Sequence, residues 1–385
     1  MENLYKDLYP HQSLFAKDNP NKALLAFDAG TGKTRCAFIF IDKRPGTNFL
    51  VIVPKNIKKR WIDDLSTNCP QRSTHVVTKE EFKKFPLSGL AHVQSIVIDE
   101  ADFFSAPLFK KGRSKLAEHL YNLIKKNSIH HILLLTATPY RNNPHNIHTL
   151  LTYINKAPLW SAWQDNMYHL VYRPYTPRPF YEPVKNWREK AIAYASQRIY
   201  SAKMSDIVTV PTQHETDTRI KTVPLAKITA DTPVGAWHER ARRESGGKEK
   251  IDFIEDYVRD KSKVVIVARY KDQIKDYCTV LQKQYQVYTL TGETKDQEKV
   301  IHLAENDPEC ILIIQADIGA GFEIPSFSYM VFANLSFSHR SYVQMKGRIN
   351  RINRLKENYY LHLIGGKCDE SVYKNIIEME TDFYL

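Results

Sequence analysis

"LLAFDAGTGKTR" occupies residues 24–35. Leu24–Phe27 is a short apolar run of the kind that buries as a strand. It meets Gly30-Thr31-Gly32-Lys33-Thr34, and "TRCAFIFID" then carries a helical pattern. Glycines let backbone N–H groups come close to a phosphate, and a helix that starts there turns its positive end toward it. Lys33 has the reach for the outer phosphates of a nucleotide, and Thr34 supplies a hydroxyl for Mg²⁺. The full pattern G-x-x-x-x-G-K-[ST] asks for glycine at position 27, where this chain has Phe27. Gly30, Thr31, Gly32, Lys33, Thr34 and Arg35 are the expected phosphate-binding set.

Working outward, "KALLAF" (22–27), "NFLVIVP" (48–54), "SIVIDE" (95–100) and "HILLLTA" (131–137) read as buried parallel strands, with helical stretches such as "KLAEHLYNLIKK" (115–126) between them. That alternation predicts an α/β sheet with helices on both faces. From 161 to 235 the chain is rich in proline, aromatics and charge, as in "YRPYTPRPFYEPVKNW". Alternation resumes at "KVVIVARY" (263–270), "QVYTLTG" (286–292), "CILIIQA" (310–316) and "YMVFANL" (329–335). The expected organisation is a first lobe over 1–160, a partly helical connecting segment over 161–244 and a second α/β lobe over 245–385.

Composition is that of an ordinary globular chain of 385 residues, 43% hydrophobic and 25% charged. A net charge of +12 favours a polyanionic partner, without choosing between nucleic acid and an acidic membrane surface. Five cysteines, none in a C-x-x-C pair, suggest reduced thiols and neither a disulfide framework nor a zinc site. The N-terminus shows no signal-peptide core and no apolar run is long enough to span a membrane, so a cytoplasmic location is expected.

Other stretches carry possible chemistry. "SIVIDEADFF" (95–104) ends a strand on Asp99-Glu100, where an open α/β sheet places ligand contacts. Asp99 is expected to hold Mg²⁺, and Glu100 to orient and deprotonate an attacking water. "LLLTATPYRNN" (133–143) ends another strand on Thr136 and Thr138, which can sense a phosphate. Gln12, in "LYPHQ", can meet an adenine edge. "QMKGRINRINR" (344–354) reads as a solvated basic face or as chemistry. If 342–351 is helical, Gln344, Arg348 and Arg351 share one stripe beside Gly347, leaving Lys346 and Arg354 on the solvated side. Lys55, Lys58, Lys59 and Arg60 follow a strand end and can grip backbone phosphates.

Taken in order, Gln12, "AGTGKT", "IVPKNIKKRW", "IDEAD", "TATP", "VVIVARY", "QADIGAGFEIP" and "QMKGRINR" resemble the motifs of superfamily-two nucleic-acid motors over nearly the whole chain. The literal D-E-A-D at 99–102 suggests a DEAD-box helicase. The positions of that family's other signatures hold Pro54-Lys55-Asn56, Thr136-Ala137-Thr138 and Gln344-Met345-Lys346-Gly347-Arg348 instead. "LLLTATPYRNNPHNIHTLLTYI", Trp61, "YSAKMSDIVTVPTQHE" and "ESGGKEK" are similar to Swi/Snf-type double-stranded-DNA translocases. Ala137 stands where that group has glycine, and "GRINRINR" keeps the Gly-Arg form of unwinding helicases. With no span for chromatin-reading appendages, the chain resembles compact motors of phages and bacteria.

The resemblance implies two RecA-like lobes with an ATP cleft between them, ATP and Mg²⁺ as cofactors, and DNA rather than RNA as partner of a monomeric motor. It implies that Arg348 and Arg351 stabilise charge on the transferring phosphate with Gln344 beside them, worth roughly 10³–10⁵ in rate for an arginine so placed. Gly319 to Glu323 would report the nucleotide state. Thr136, Arg269, Tyr270, Thr291 and Gly292 would join Lys55, Lys58 and Arg60 on the nucleic-acid track. Duplex translocation, fork unwinding and branch migration all fit. So do a nucleotide-gated DNA-binding protein without unwinding and the motor subunit of a restriction-type complex.

Overall fold

The structure, a computed structural model, describes residues 4–108, 114–140, 143–172, 180–207, 212–221, 239–243, 247–318, 322–350 and 357–383, with side chains to 377. The chain divides into two compact units, residues 1–208 and 209–384. Each is built on its own parallel sheet.

In the first unit the quoted apolar runs are strands: β1 (Lys22–Phe27), β2 (Asn48–Val53), β4 (Ser95–Ile98) and β5 (His131–Thr136). They are joined by β3 (Ser73–Thr78) and β8 (Tyr200–Ala202) in the order β3-β2-β4-β5-β1-β8, every pairing parallel. Because the sheet is covered on both faces, successive residues such as Phe49 to Val53 are all buried. Helices α1 (Pro10–Asp18), α2 (Lys33–Asp42), α3 (Lys58–Asn68), α4 (Lys79–Lys84), α5 (Lys115–Lys126) and α6 (Pro144–Tyr153) connect or flank the strands. The core of one face joins Phe15, Phe27, Phe40, Phe49 and Trp61. Helices α7 (Trp160–Met167) and α8 (Trp187–Ala195) bracket a separate antiparallel hairpin, β6 (Tyr168–Val171) with β7 (Phe180–Pro183).

In the second unit β9 (Gln213–Arg219), β10 (Lys263–Ala268), β11 (Val287–Leu290), β12 (Cys310–Gln315), β13 (Tyr329–Phe332) and β14 (Asn358–Ile364) form a parallel sheet in the order β11-β12-β10-β13-β14-β9. Val265 and Val267 enter the core on one face, Val264 and Ile266 the core on the other. Helices α9 (Lys248–Val258), α10 (Lys271–Leu281), α11 (Gln297–Asn306), α12 (His339–Lys346) and α13 (Lys367–Phe383) complete the unit. Lys250 is fully buried, and a buried ammonium needs partners. It donates to Ala333 O (2.7 Å), Leu363 O (3.0 Å) and Asp369 Oδ2 (2.8 Å), tying α9 to two strand ends and to α13.

The segment 161–244, expected as a connector, is thus divided. Its first part supplies β8 to the first sheet, and β9 joins the second. Both are edge strands with too little apolar character to be seen as strands in isolation. Among the described residues no helix is long and apolar enough to cross a membrane.

Candidate active site

The C-terminal ends of parallel strands share one edge of their sheet. In the first unit that edge carries Asp28 after β1, Pro54 after β2 and Asp99-Glu100 after β4. Gly30 and Gly32 take φ of +82° and +85°, conformations open to glycine at little cost. At Gly32 the need is also steric, since a Cβ would lie 2.1 Å from Gln12 Nε2. Gly32 caps α2 without a side-chain hydrogen bond, so the positive end of the helix is left to the loop.

Lys33 Nζ donates to Phe27 O at 2.7 Å and Asp28 O at 2.9 Å. Thr31 is fully buried and donates from Oγ1 to Asp28 O at 2.8 Å. Gln12 is buried too: Tyr9 N donates to its Oε1 (3.1 Å), and its Nε2 donates to Thr31 O (3.2 Å). Its amide therefore braces the glycine loop, where an adenine edge was expected. Thr34 is half-buried in the first turn of α2. Arg35, expected among phosphate contacts, donates to the carbonyls of Leu4 (3.1 Å), Lys6 and Asp7 (3.3 Å), which pins the N-terminal segment.

Asp99 and Glu100 make a tight corner. Trp61 Nε1 donates to Asp99 Oδ2 at 3.2 Å, and Glu100 N donates to Asp99 Oδ1 at 3.0 Å. Glu100 has φ +57°, a left-handed conformation uncommon outside glycine that its surroundings must hold in place. Burial, then the charge of Glu100, push the Asp99 carboxyl up to about 6, while Lys33 and Trp61 pull it back. Among the described residues no three His, Cys, Asp or Glu side chains converge on a metal position. Thr34 and Asp99 still fit Mg²⁺, which takes one or two protein oxygens and completes its shell with water and phosphate.

Two residues near the loop gave no signal in the sequence. Asp28 accepts Met204 N at 2.9 Å on Oδ2, its own N–H goes to Ala202 O at 3.0 Å, and burial raises its pKa. His11 Nε2 donates to Thr31 O at 2.9 Å, and burial lowers its pKa. Both contacts rest on partners distant in the chain, which spacing does not reveal.

The expected nucleic-acid residues separate into groups. Lys55 and Arg60 are exposed. Lys58 Nζ lies 2.8 Å from both carboxylate oxygens of Glu81, a pairing that brings Glu81 down to about 2. Thr136 is fully buried and spends Oγ1 on the Thr138 N–H at 3.0 Å, so it presents no surface to a polymer. In the second unit Arg269, Tyr270, Thr291 and Gly292 all sit at the C-terminal edge of their sheet. The Arg269 guanidinium lies 3.4 Å over the Phe337 ring, and Gly292 N donates to Gln315 Oε1 at 3.2 Å.

The stretch from 344 departs from the expected single helix. α12 ends at Lys346 with Gly347 as its cap, and residues 347–349 form a turn. Glycine is a poor helix former, and the chain beyond it is anchored elsewhere. Gln344 is half-buried on α12, whereas Arg348 is 3% exposed. Arg348 donates to Phe322 O (3.1 Å) and Ile318 O (3.4 Å), and its guanidinium lies 3.6 Å over the Phe322 ring. Lys346, read as solvated, is 7% exposed. Arg351 and Gly319 lie outside the described residues.

Two family profiles match the chain. The SNF2-related domain covers residues 74–209, and the helicase conserved C-terminal domain covers 249–353. A curated relative, the Danio rerio chromodomain-helicase-DNA-binding protein 1-like, is 21% identical over 93% of this chain, which spans 41% of that relative's length. Among solved structures, the Pyrococcus furiosus Hef helicase domain has a TM-score of 0.55 at 13% identity, covering 97% of this chain and 98% of that one. S. cerevisiae Dbp5 bound to RNA and ADP BeF3 has a TM-score of 0.53 at 12% identity, covering 97% and 88%. The Sulfolobus solfataricus SWI2/SNF2 ATPase core in complex with dsDNA has a TM-score of 0.45 at 19% identity, covering 98% and 94%. With an acidic corner on the first parallel sheet and a Gly-Arg turn on the second, the chain joins a stretch that matches the SNF2-related domain to one that matches the helicase conserved C-terminal domain.

Proposed function

We propose that this protein hydrolyses ATP to move along DNA. The observation that carries the reading is that Lys33, just after β1, and the Asp99-Glu100 corner, just after β4, lie at one edge of the same parallel sheet. The match to an SNF2-related domain and the similarity to a chromodomain-helicase-DNA-binding protein support DNA as the polymer.

Each residue then has a part. Gly30, Thr31 and Gly32 shape the phosphate loop. Lys33 leaves the carbonyls of Phe27 and Asp28 to meet the outer phosphates. Thr34 and Asp99 would hold Mg²⁺, which supplies charge neutralisation between phosphates. Glu100, adjoining Asp99, orients the attacking water and takes its proton. Trp61 keeps the Asp99 carboxylate in one rotamer through the 3.2 Å bond. Arg351 answers the charge that develops on the transferred phosphate, and Gln344 assists it. Arg348 holds the carbonyls of Ile318 and Phe322 from its buried position.

ATPase assays across duplex, single-stranded, forked and four-way DNA and RNA, with strand displacement measured in parallel, test the proposal. Stimulation by DNA that disappears in Lys33→Ala and Glu100→Gln is the expected result. Wild-type turnover surviving in either variant removes the site assignment. Stimulation without strand displacement selects duplex translocation over unwinding.

A further inference from the structure

Lys22 opens β1, where it pairs with Ile132 of β5. It therefore stands at the edge of the first sheet where the strands begin. The glycine loop and Asp99-Glu100 lie at the opposite edge. The six residues of β1 set roughly 20 Å of extended chain between the two edges. Beside Lys22 opens a cavity of about 260 Å³, lined also from the C-terminal ends of α5 and α6. Lys125 and His130 are part of the lining, and among its described residues there is no Asp or Glu.

Two ammonium groups thus share one recess. Lys22 is half-buried and Lys125 is exposed. Among the described residues neither has a carboxylate partner, and Lys125 has the ring of Tyr121, its centroid 5.6 Å from the ammonium. Burial, and then the charge of Lys125, hold the Lys22 ammonium below its ordinary pKa. Like charges left together cost free energy. Lys250, the fully buried lysine of the second sheet, is matched by Asp369. At Lys22 the matching charge has to come from solution.

A lysine near the end of a helix often only complements the helix dipole. Lys125, in the last turn of α5, fits that reading, whereas Lys22 sits on a strand. The carbonyls at these helix ends are moreover closed by main-chain donors. After α5, Ser128 N donates to Lys125 O (3.3 Å) and Ile129 N to Ile124 O (3.1 Å). After α6, Asn155 N donates to Thr152 O (3.1 Å) and Lys156 N to Leu151 O (2.9 Å). Both turns pass through a left-handed residue, Ser128 at φ +48° and Asn155 at φ +59°, where glycine is usual. The exposed rim of the cavity keeps a hydroxyl and an amide there instead. Ile124, Ile129 and Tyr153 also line it and are buried. Tyr153 spends its hydroxyl on Phe104 O (2.9 Å) and Ala117 O (3.2 Å), so these three supply hydrocarbon.

We propose that this cavity binds a small molecule bearing a phosphate monoester. Such a head carries about 1.5 to 2 negative charges at pH 7, which matches the two ammonium groups of Lys22 and Lys125. Ser128 and Asn155 donate to its oxygens, and a small organic body rests on Ile124, Ile129 and Tyr153. The volume lies just below the roughly 300–1,000 Å³ of sites for drug-sized ligands, so the body is small. A phosphodiester of DNA brings one charge per phosphate and leaves one ammonium unmatched. The inference stands apart from the ATPase reading, because it concerns the other edge of the sheet.

The test titrates phenyl phosphate, inorganic phosphate and phenol into the full chain by calorimetry. It compares the wild type with Lys33→Ala, Lys22→Gln, Lys125→Gln and the Lys22→Gln/Lys125→Gln double variant. Phenyl phosphate is expected to bind more tightly than inorganic phosphate, and phenol not to bind. Its Kd should stay within about twofold in Lys33→Ala and rise about tenfold in Lys22→Gln, the scale of one charge-assisted hydrogen bond, with a larger rise in the double variant. Without ligand, the Tm of Lys22→Gln should equal or exceed that of the wild type, since a like-charge contact is gone. If Lys22→Gln does not fold, Lys125→Gln, changed at an exposed position, decides by the same measure. Binding lost in Lys33→Ala and kept in Lys22→Gln belongs to the glycine loop and overturns the proposal. Equal binding by the double variant, or phenol binding as tightly as phenyl phosphate, also overturns it. So does displacement of phenyl phosphate by a DNA duplex without terminal phosphates, which makes the polymer the occupant.

Discussion

Trp61 Nε1 donates to Asp99 Oδ2 at 3.2 Å, so a helix residue far from the strand in sequence steers the carboxylate at its end. The indole also packs edge-on against Phe38, with ring centroids 5.4 Å apart. Trp61→Phe keeps an aromatic ring against Phe38 and removes the donor. The expected outcome is an unchanged fold by circular dichroism and a half-maximal Mg²⁺ requirement for ATPase raised about tenfold, the usual scale for losing a partner behind a metal ligand. An unchanged Mg²⁺ titration would show that Trp61 only packs.

Gly32→Ala meets two obstacles, a positive φ and a Cβ placed 2.1 Å from Gln12 Nε2. The loop must shift or Gln12 must let go of Thr31. Nucleotide affinity is expected to fall by at least about tenfold, with about 1–3 kcal/mol lost in stability. Gly32→Ala combined with Gln12→Ala removes the clash and leaves the backbone strain, so stability should return only in part. Calorimetric binding and thermal unfolding of both variants read the two effects separately.

Arg348 and Arg351 should separate cleanly. Arg348→Ala removes a buried guanidinium and leaves the half-buried Phe322 and Ile318 carbonyls without that donor, at about 1–3 kcal/mol. Its loss of activity should follow its loss of fold, shown by a lowered Tm. Arg351→Ala is expected to keep Tm and nucleotide affinity and lose turnover. A normal Tm for Arg348→Ala, with turnover gone, would move Arg348 into the chemistry.

Burial lowers His362 to about 4 from an ordinary 6.5, with Glu215 and Asp217 opposing and Lys346 adding to the shift. The unfolded chain takes up this proton more readily than the folded one. Stability from the neutral ring is therefore complete above pH 6.5 and lost as pH falls toward 4, by at most about 3 kcal/mol. His362→Gln can still accept from the Tyr342 hydroxyl and donate to the Thr216 carbonyl, the two partners of the ring. Its unfolding midpoint should fall less than the wild type's across that window. Parallel pH curves would remove His362 as the cause.

Much of the architecture could be read before any coordinates, because buried parallel strands such as Leu50–Val53 and Ile311–Ile314 are continuous apolar runs. β3, β8, β9 and β14 escaped that reading for physical reasons. β3 and β9 lie at sheet edges, where solvent permits polar residues, and β14 is interrupted by Tyr359 and His362. The glycine loop and the acidic corner were legible from residue type and position along a strand. The role of Gln12 as a brace and the burial of Thr136 and Lys346 were not. Each depends on a partner that only the folded chain brings near. A helical stripe through Gln344, Arg348 and Arg351 was reasonable from spacing, but the chain turns at Gly347.

The two sheets also differ in when their strands become available. β8, the last strand made in the first unit, adds at an edge beside β1, so the other five strands are complete before it appears from the ribosome. β9 is the first strand made in the second unit, yet its neighbour is β14, the last. It must wait, unpaired, through the synthesis of nearly the whole unit, and closing that distance is slow. Its charged, apolar-free sequence is then a safeguard, since an exposed strand of this composition is a poor template for other chains.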